Sequence, residues 1–247
     1  MQTVWLILGT LIMGLATVYF VYRGTQVQGA QYFYWITTAI TGVAFISYLM
    51  MATGAGSTVL EDGRQFYYFR YIDWLITTPL LLLDLALLAL ARPGRNVGLI
   101  AGLLGLDVFM ILTGLIAGSS TNAFFTVVLF IISTAALVGV LYLLYTRFFT
   151  AARSQSQNVA GIFNTLAVLT IVLWSLYPIV FLLGTEGSRA VDQRWEIFLF
   201  LILDILAKVS FGFLLLSNHQ TLHEVGGGED AQASRVRQTH RALWSEL

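Results

Sequence analysis

The chain contains a single lysine, Lys208, whose type and position allow chemistry that no other basic residue of the chain offers. The other basic residues are arginines, and Lys208 lies within a long apolar run. A primary amine can condense with an aldehyde to form a Schiff base, whereas a guanidinium stays protonated and is not nucleophilic. Asp204 lies four residues earlier, so the two share one face of a helix. The pair indicates either a Schiff-base site or a structural ion pair, and this feature alone does not decide between them.

Two further carboxyl groups lie in the apolar stretch FYYFRYIDWLITTPLLLLDLALLALARP, which begins at Phe66. Eleven helical steps leave Asp73 and Asp84 about 20° apart around the helix and about 16 Å apart along it. Arg70 precedes Asp73 by three residues, and Thr77 follows it by one turn, within reach of a hydrogen bond. Asp84 stands among leucines with no cation nearby in sequence, so we expect it to hold a proton.

These groups predict different environments on the two sides of Lys208. The carboxylates of Asp73 and Asp204 carry two negative charges on one side. The cations of Arg70 and Lys208 balance them, so both acids are expected to be ionised. With a protonated Asp84 on the other side, the amine could lose its proton toward Asp73 and regain one from Asp84. The alternative is that both acids of this run are only hydrogen-bond anchors between helices.

Aromatic residues in the sixth apolar run have the spacing of one helix face. Trp174, Tyr177 and Phe181 surround Pro178, a residue that can kink a helix. Such stripes usually pack in a core, but they could also wall a flat apolar slot leading to Lys208. The other candidate wall residues at this stage are Trp74, Met110 and Phe130.

The elements that must position these residues are membrane-spanning helices. The chain has 247 residues, of which 57% are hydrophobic and 11% charged, which is too apolar for a soluble domain. A bilayer core about 30 Å thick needs about 20 apolar helical residues per crossing. Seven such runs lie near residues 3–22, 32–53, 66–91, 97–117, 123–145, 160–183 and 195–216. We therefore expect an all-α, seven-helix bundle in the cell membrane, with Lys208 near the bilayer midplane.

The arginines outside these runs predict the orientation of the bundle. Eight on one side are Arg23, Arg92, Arg95, Arg147, Arg153, Arg235, Arg237 and Arg241, and three on the other are Arg64, Arg189 and Arg194. The richer side is expected to face the cytoplasm, which puts the N-terminus outside and the C-terminus inside. Residues 1–225 are expected to form the transmembrane domain and the polar residues 226–247 a cytoplasmic tail.

Composition narrows the remaining functional classes. The absence of cysteine, together with only three histidines, gives no reason to expect redox or metal chemistry, and a net charge of zero offers no bulk attraction for nucleic acid. No GxxxxGK[ST] motif is present to bind a nucleotide. Asp107, in the fourth run, is expected to accept a hydrogen bond from a hydroxyl such as that of Thr78 and to carry no protons.

The chain resembles the microbial (type 1) rhodopsins, and among them the haloarchaeal bacteriorhodopsins, in the stretches RYIDWLITTPLLLLDLALLA, WSLYPIVFLLGTEG and LDILAKVSFGFLLL. The similarity covers essentially all seven runs. It implies an all-trans retinal joined to Lys208 as a Schiff base, with light-driven isomerisation to 13-cis as the switch. It also implies a counterion complex of Asp73, Asp204 and Arg70.

Within this family, the residues at positions 73, 77 and 84 sort the activities. Chloride pumps have a neutral residue at the first position and lack the last acid, and sensory members usually lack the last acid. The combination of Asp73, Thr77 and Asp84 resembles the outward proton pumps, with Asp73 as proton acceptor and Asp84 as donor. The alternatives are a photosensory receptor that signals through a membrane transducer and an enzyme that uses Lys208 on a soluble carbonyl substrate.

The resemblance also assigns outer residues and a cofactor pocket. Glu186 and Glu196 match the glutamates that form a proton-release group with Arg70, although the residues alone would equally suit solvated acids. Matches near the counterion are Tyr48, Tyr71 and Tyr177, and Thr37 matches the threonine that holds the donor. The implied pocket is formed by Trp74, Thr78, Met110, Phe130, Ser133, Trp174, Tyr177 and Phe181. The chain departs from the family by having Phe130 and Phe181 in place of tryptophans and Leu137 in place of a methionine. The expected partners are the lipid bilayer and protons. The chain is also expected to form a homo-oligomer, and trimers are common in the family.

Overall fold

The computed structural model describes residues 2–225, and within them seven helices are long and apolar enough to cross a membrane. The chain is therefore an all-helical, multi-pass membrane protein. The helices are α1 (Gln2–Gln26), α2 (Gln31–Ala52), α3 (Tyr68–Ala89), α4 (Val97–Ser119), α5 (Ala123–Arg153), α6 (Gln157–Leu183) and α7 (Gln193–Leu216). A 3-10 turn, Pro93–Arg95, precedes α4. The predicted tail, 226–247, and its three arginines lie outside the described residues.

All seven predicted runs are confirmed as helices, although their ends differ by a few residues. The largest difference is in α5, which continues to Arg153 instead of ending near residue 145. A π-helical segment, Leu144–Phe148, lies in this extension, and both of its end residues are completely buried. A second π-helical segment, Ile205–Ser210, lies within α7 and contains Lys208. Hydropathy detects apolar length but carries no information on such local widening of a helix.

Two helices occupy the centre of the bundle. In the apolar 18-residue stretch of α3 and of α7, 61% of the residues are buried, compared with 22% to 39% in the other five helices. The lipid-facing surfaces of the outer helices remain apolar because lipid, unlike water, accepts them without cost. The candidate acids and the lysine therefore lie on the two helices that are best screened from lipid. Pro79 and Pro178 are both accommodated within continuous helices, α3 and α6.

A short β-hairpin covers one end of the bundle. Strands β1 (Thr58–Val59) and β2 (Gln65–Phe66) pair antiparallel between α2 and α3. The Arg64 guanidinium, just before β2, donates to the backbone oxygens of Gly118 and Ser120 at 2.9 and 3.2 Å. It thereby satisfies carbonyls at the end of α4 that have no partner within the helix. This contact joins the hairpin to the same end of the bundle as Glu186.

Candidate functional site

Lys208 lies buried in the middle of the bundle between two carboxyl groups. Its Nζ atom donates to Asp73 Oδ2 on α3 and lies 3.2 Å from Asp204 Oδ1, one turn earlier on α7. All three side chains are at most 2% exposed. The predicted pairing of the lysine with Asp204, and the predicted placement of Asp73 beside it, are both seen in the structure. A buried cation with two buried anions is a strongly coupled cluster. A proton can be transferred within it along a single hydrogen bond.

Asp204 accepts several further hydrogen bonds. Tyr48 donates to Asp204 Oδ2 at 2.8 Å, and Tyr177 donates to Oδ1 at 2.9 Å. Trp74 Nε1 also reaches Oδ1, at 3.3 Å. Donors from α2, α3 and α6 therefore meet on this one carboxyl group. Such an arrangement fixes the position of the carboxyl group relative to Lys208.

Asp73 is less well satisfied than Asp204. Its Oδ1 atom is buried and has no hydrogen-bond partner among the described residues. Thr77 was predicted to lie within hydrogen-bond reach of this carboxyl group, and its side chain does interact with it. The Thr77 hydroxyl also donates to the backbone oxygen of Asp73 at 2.8 Å, as a threonine within a helix readily does with the carbonyl four residues earlier. The free oxygen gives Asp73 the capacity to accept a proton or another donor.

Arg70 pairs with one of the two glutamates, Glu196. Its Nη1 atom is 3.0 Å from Glu196 Oε1, and the guanidinium carbon lies 4.2 Å from the centre of the Phe200 ring. A buried carboxylate and an aromatic face together hold the cation in place. Among the described residues Arg70 has no ion pair with Asp73 or Asp204, whereas its predicted contact with one of the two glutamates is present.

The two outer glutamates are buried, so the alternative of solvated acids is wrong. Glu186 accepts a hydrogen bond from Tyr71 at 2.7 Å, and the same tyrosine lines the cavity that contains Lys208 and Asp204. Glu196 Oε2 accepts from both the backbone N–H and the hydroxyl of Thr185, each at 2.7 Å. Burial raises the pKa of Glu186 from 4.5 to about 7, with the nearby Arg70 acting in the opposite direction. Glu186 can therefore gain or lose a proton near neutral pH.

Asp84 lies at the opposite end of α3 in an apolar environment. It is completely buried, and the Thr37 hydroxyl donates to its Oδ2 atom at 3.4 Å, the contact predicted for this threonine. Its Oδ1 atom has no partner within the described part of the chain. The neighbouring α3 residues Leu81, Leu82, Leu85 and Leu88 are buried as well. Without a nearby cation, the neutral acid is the form that this environment favours.

An apolar cavity extends from Lys208 between the helices. Its walls include all eight residues predicted for the pocket, Trp74, Thr78, Met110, Phe130, Ser133, Trp174, Tyr177 and Phe181. The rings of Phe130 and Phe181 stack with centroids 5.0 Å apart. Ser133 is tied to the Met110 backbone oxygen at 2.8 Å. The cavity thus suits a long, flat, apolar group with a reactive end at the lysine, and the unpartnered Asp73 Oδ1 atom beside that end can accept a hydrogen bond from it.

Asp107 has the structural contact that its sequence position predicted. The Thr78 hydroxyl donates to Asp107 Oδ2 at 2.8 Å and so links α3 to α4 beside the cavity. Within residues 2–225, no group of three or more His, Cys, Asp or Glu side chains is arranged to hold a metal ion.

Three residues with clear roles in the site were not singled out from the sequence. Phe200 lines the cavity and lies against Arg70. Thr185 bonds Glu196, and Arg64 anchors the hairpin. Phe200 precedes Asp204 by four residues, so helical spacing alone could have found it. The other two depend on loop conformation, for which the sequence carries no comparable signal.

A seven-helix membrane bundle with a buried lysine at the end of an apolar cavity defines the class of the microbial rhodopsins. Residues 1–222 match the family described as bacteriorhodopsin-like protein, and the chain belongs to that family.

Individual relatives agree with this membership over nearly the whole chain. A bacteriorhodopsin from Haloterrigena sp. (strain arg-4) is 46% identical over 230 residues, covering 91% of this chain and 90% of that protein. Archaerhodopsin-3 from Halorubrum sodomense is 42% identical over 240 residues, covering 95% and 92%. Among solved structures, the thermophilic rhodopsin from Rubrobacter xylanophilus is 60% identical with a TM-score of 0.91, covering 92% of this chain and 100% of that chain.

Proposed function

We propose that this protein is a light-driven proton pump that moves protons outward across the cell membrane. The observation that carries the proposal is the position of Lys208 between two unlike carboxyl groups. Asp73 contacts the amine directly. Asp84 lies about three helical turns farther along α3 than Asp73, among buried leucines. Two acids with different proton affinities on the two sides of one amine give transport a direction.

The proposed cofactor is all-trans retinal, attached covalently to Lys208. When bound, it supplies absorption of visible light and an isomerisation that changes the geometry and proton affinity at the lysine nitrogen. Trp74, Trp174 and Tyr177 would restrict the polyene to one plane, and Phe130 with Phe181 would enclose its far end. The mostly apolar walls would disfavour water around the polyene.

The acids of the chain then act in sequence. Asp73, whose Oδ2 already accepts a hydrogen bond from Lys208 Nζ, takes the proton, and Asp204 remains as the fixed negative charge. Asp84 supplies the next proton to the lysine nitrogen from the other side. Thr77 holds the α3 backbone at Asp73.

A buried outer group would release the proton to the medium. Arg70 forms an ion pair with Glu196, and its charge also acts on Glu186. A shift of this cation would therefore change which of the two carboxyl groups holds a proton. The long Arg70 side chain begins one turn before Asp73 on α3, so we propose that its guanidinium can swing from Glu196 toward the carboxyl groups at Lys208. We assign proton release to these three residues.

The orientation follows from the arginine distribution, with the N-terminus outside and the C-terminus in the cytoplasm. Asp84 then faces the cytoplasmic half and Glu186 the outer surface, as outward transport requires. We further propose that residues 1–225 form the retinal-binding domain and that the protein assembles as a homo-oligomer such as a trimer. No enzymatic reaction is proposed.

Illuminated cells or proteoliposomes test the proposal. Moving one charge against 100 mV costs about 2.3 kcal/mol, well below the energy of a visible photon. Cells loaded with retinal are expected to acidify the outer medium in light, and a protonophore should abolish the response. An illuminated Lys208→Ala variant, which cannot bind the chromophore covalently, is the negative control. The absence of a sustained pH change would contradict pumping, and a cycle of seconds together with a co-purifying transducer would favour the receptor alternative.

A further inference from the structure

Two histidines lie at the Asp84 end of the bundle, and the proposed function does not yet use them. They belong to helical residues 219–225, which follow α7 after a short turn. His223 is exposed and His219 is half-buried. Their ring centres are 6.1 Å apart. The pair therefore extends from the aqueous surface toward the interior.

A buried tyrosine continues this row inward. Tyr34 is completely buried near the start of α2, and its hydroxyl lies 3.5 Å from His219 Nδ1. The same hydroxyl donates to the backbone oxygen of Leu216 at 3.2 Å. Three groups that can each accept and donate a proton thus follow one another from an exposed to a completely buried position.

The tyrosine lies one helical turn from the threonine that bonds Asp84. Tyr34 and Thr37 share one face of α2 because they are three residues apart. Thr37 packs on Gly212 of α7, where an added Cβ would approach its methyl group to 2.6 Å. Tyr34 meets Leu216, four residues farther along α7, so the two contacts are about 6 Å apart. We infer that water bridges this gap between the two side chains.

The loop between α1 and α2 is shaped to admit His223. Gly29 has a φ of +79°, and a Cβ atom at this position would lie 2.7 Å from His223 Nε2. The missing side chain therefore lets the imidazole lie directly over the loop. The charged groups around the row are Arg23 of α1, which faces Tyr34, and Glu224, which accepts a hydrogen bond from Ser156.

We propose that His223 and His219 collect protons from the cytoplasmic medium and deliver them through Tyr34 and Thr37 to Asp84. The inference rests on the proposed function, in which Asp84 is the internal donor. In each cycle, a hydrated proton adds to the His223 imidazole, which passes a proton to His219, and His219 Nδ1 gives a proton to the Tyr34 hydroxyl oxygen. The Tyr34 hydroxyl, a bridging water and the Thr37 hydroxyl each release one proton as they receive one, and the Asp84 carboxylate forms an O–H bond. The net change is one proton moved from the medium to Asp84.

Flash-induced proton uptake by the full, retinal-loaded chain in lipid nanodiscs tests this route. A water-soluble pH dye would report uptake, and the infrared carboxyl band of Asp84 would report its reprotonation. We expect His219→Gln and His223→Gln each to slow both signals, and the double variant to slow them about tenfold or more. Added imidazole should restore the rate, which a structural defect would not allow. Tyr34→Phe keeps the ring and is expected to slow both signals as well.

Glu224→Gln is the matched control, since it removes a titratable group from the same surface segment without touching the row. Its uptake rate should equal that of the parent chain. Parental rates in the double histidine variant, or in Tyr34→Phe, would overturn the route. If the parent chain itself showed no light-driven proton uptake, the proposed function would fail and not this inference alone.

Discussion

The two halves of the bundle on either side of Lys208 differ sharply in polarity. On the outer side, Asp204 alone accepts hydrogen bonds from two tyrosines and a tryptophan, and a buried Arg70 pairs with Glu196. On the inner side, Asp84 has one contact with a hydroxyl, at 3.4 Å, among buried leucines.

This difference explains how identical carboxyl groups can serve opposite purposes. Dense hydrogen bonding and paired cations stabilise negative charge, so the outer half can hold ionised acids and receive a proton. An apolar environment penalises charge, so the inner half stores a proton on Asp84. The chain thus sets direction by placing polar donors on one side of the amine and leucines on the other.

Removing the acceptor should have the largest effect. Asp73→Asn deletes the carboxylate that contacts Lys208, so we expect light-driven acidification to fall to background. The matched control is Asp107→Asn, which neutralises an equally buried acid that bonds Thr78. Transport by this control should continue. Equal loss in both variants would contradict a specific acceptor role.

Removing the inner donor should slow transport without abolishing it. Asp84→Asn keeps the shape of the side chain but cannot release a proton, so reprotonation of the lysine nitrogen should slow about 100-fold. Added azide, a small diffusible acid, is expected to restore the rate. Time-resolved visible absorption measures both effects. A parental rate in Asp84→Asn would show that the inner half does not store the proton.

The outer half should show a pH dependence that the inner half lacks. Burial raises the pKa of Glu186 to about 7, so this acid is protonated below that pH and ionised above it. Prompt proton release after a flash should therefore decline as pH rises through about 7, because the proton has already been lost. Glu186→Gln should remove this dependence. An unchanged pH profile in that variant, measured with a surface-bound pH dye, would assign release elsewhere.

The smallest predicted effect concerns the hairpin arginine. The charge of Arg64 makes a minor contribution that lowers the pKa of Glu186, against the larger effect of burial. Arg64→Gln should therefore move the midpoint of proton release upward, by less than about one pH unit. Arg189→Gln removes an exposed arginine paired with Asp62 and serves as the control. A larger shift in the control would contradict the assignment.

Much of this arrangement could be predicted from the sequence because charged residues are costly within a membrane, so the few that lie in apolar runs are informative. Seven apolar runs predicted seven helices, and polar residues that cost energy in lipid stood out against them. The contacts of Lys208 with Asp73 and Asp204 could be expected from helical spacing and charge balance. The contact between Asp84 and Thr37 was predicted from the resemblance to a known family and not from spacing.

The partners of long side chains and the loops were harder to predict. The long Arg70 side chain could approach either the carboxyl groups at Lys208 or Glu196, and helix spacing does not distinguish these positions. Tyr71 donates a hydrogen bond to Glu186, and the position of Glu186 depends on the conformation of the loop after α6. The hairpin and the two π-helical segments arise from local backbone geometry that hydropathy does not encode.

Time-resolved infrared spectroscopy of the two α3 carboxyl groups tests the central claim most directly. Bands can be assigned by their loss in Asp73→Asn and Asp84→Asn. We predict that the carboxylic acid band of Asp73 appears first after the flash and that the band of Asp84 disappears afterwards, while Asp73 is still protonated. Loss of the Asp84 band before Asp73 gains its proton, or no change at Asp84, would contradict the account.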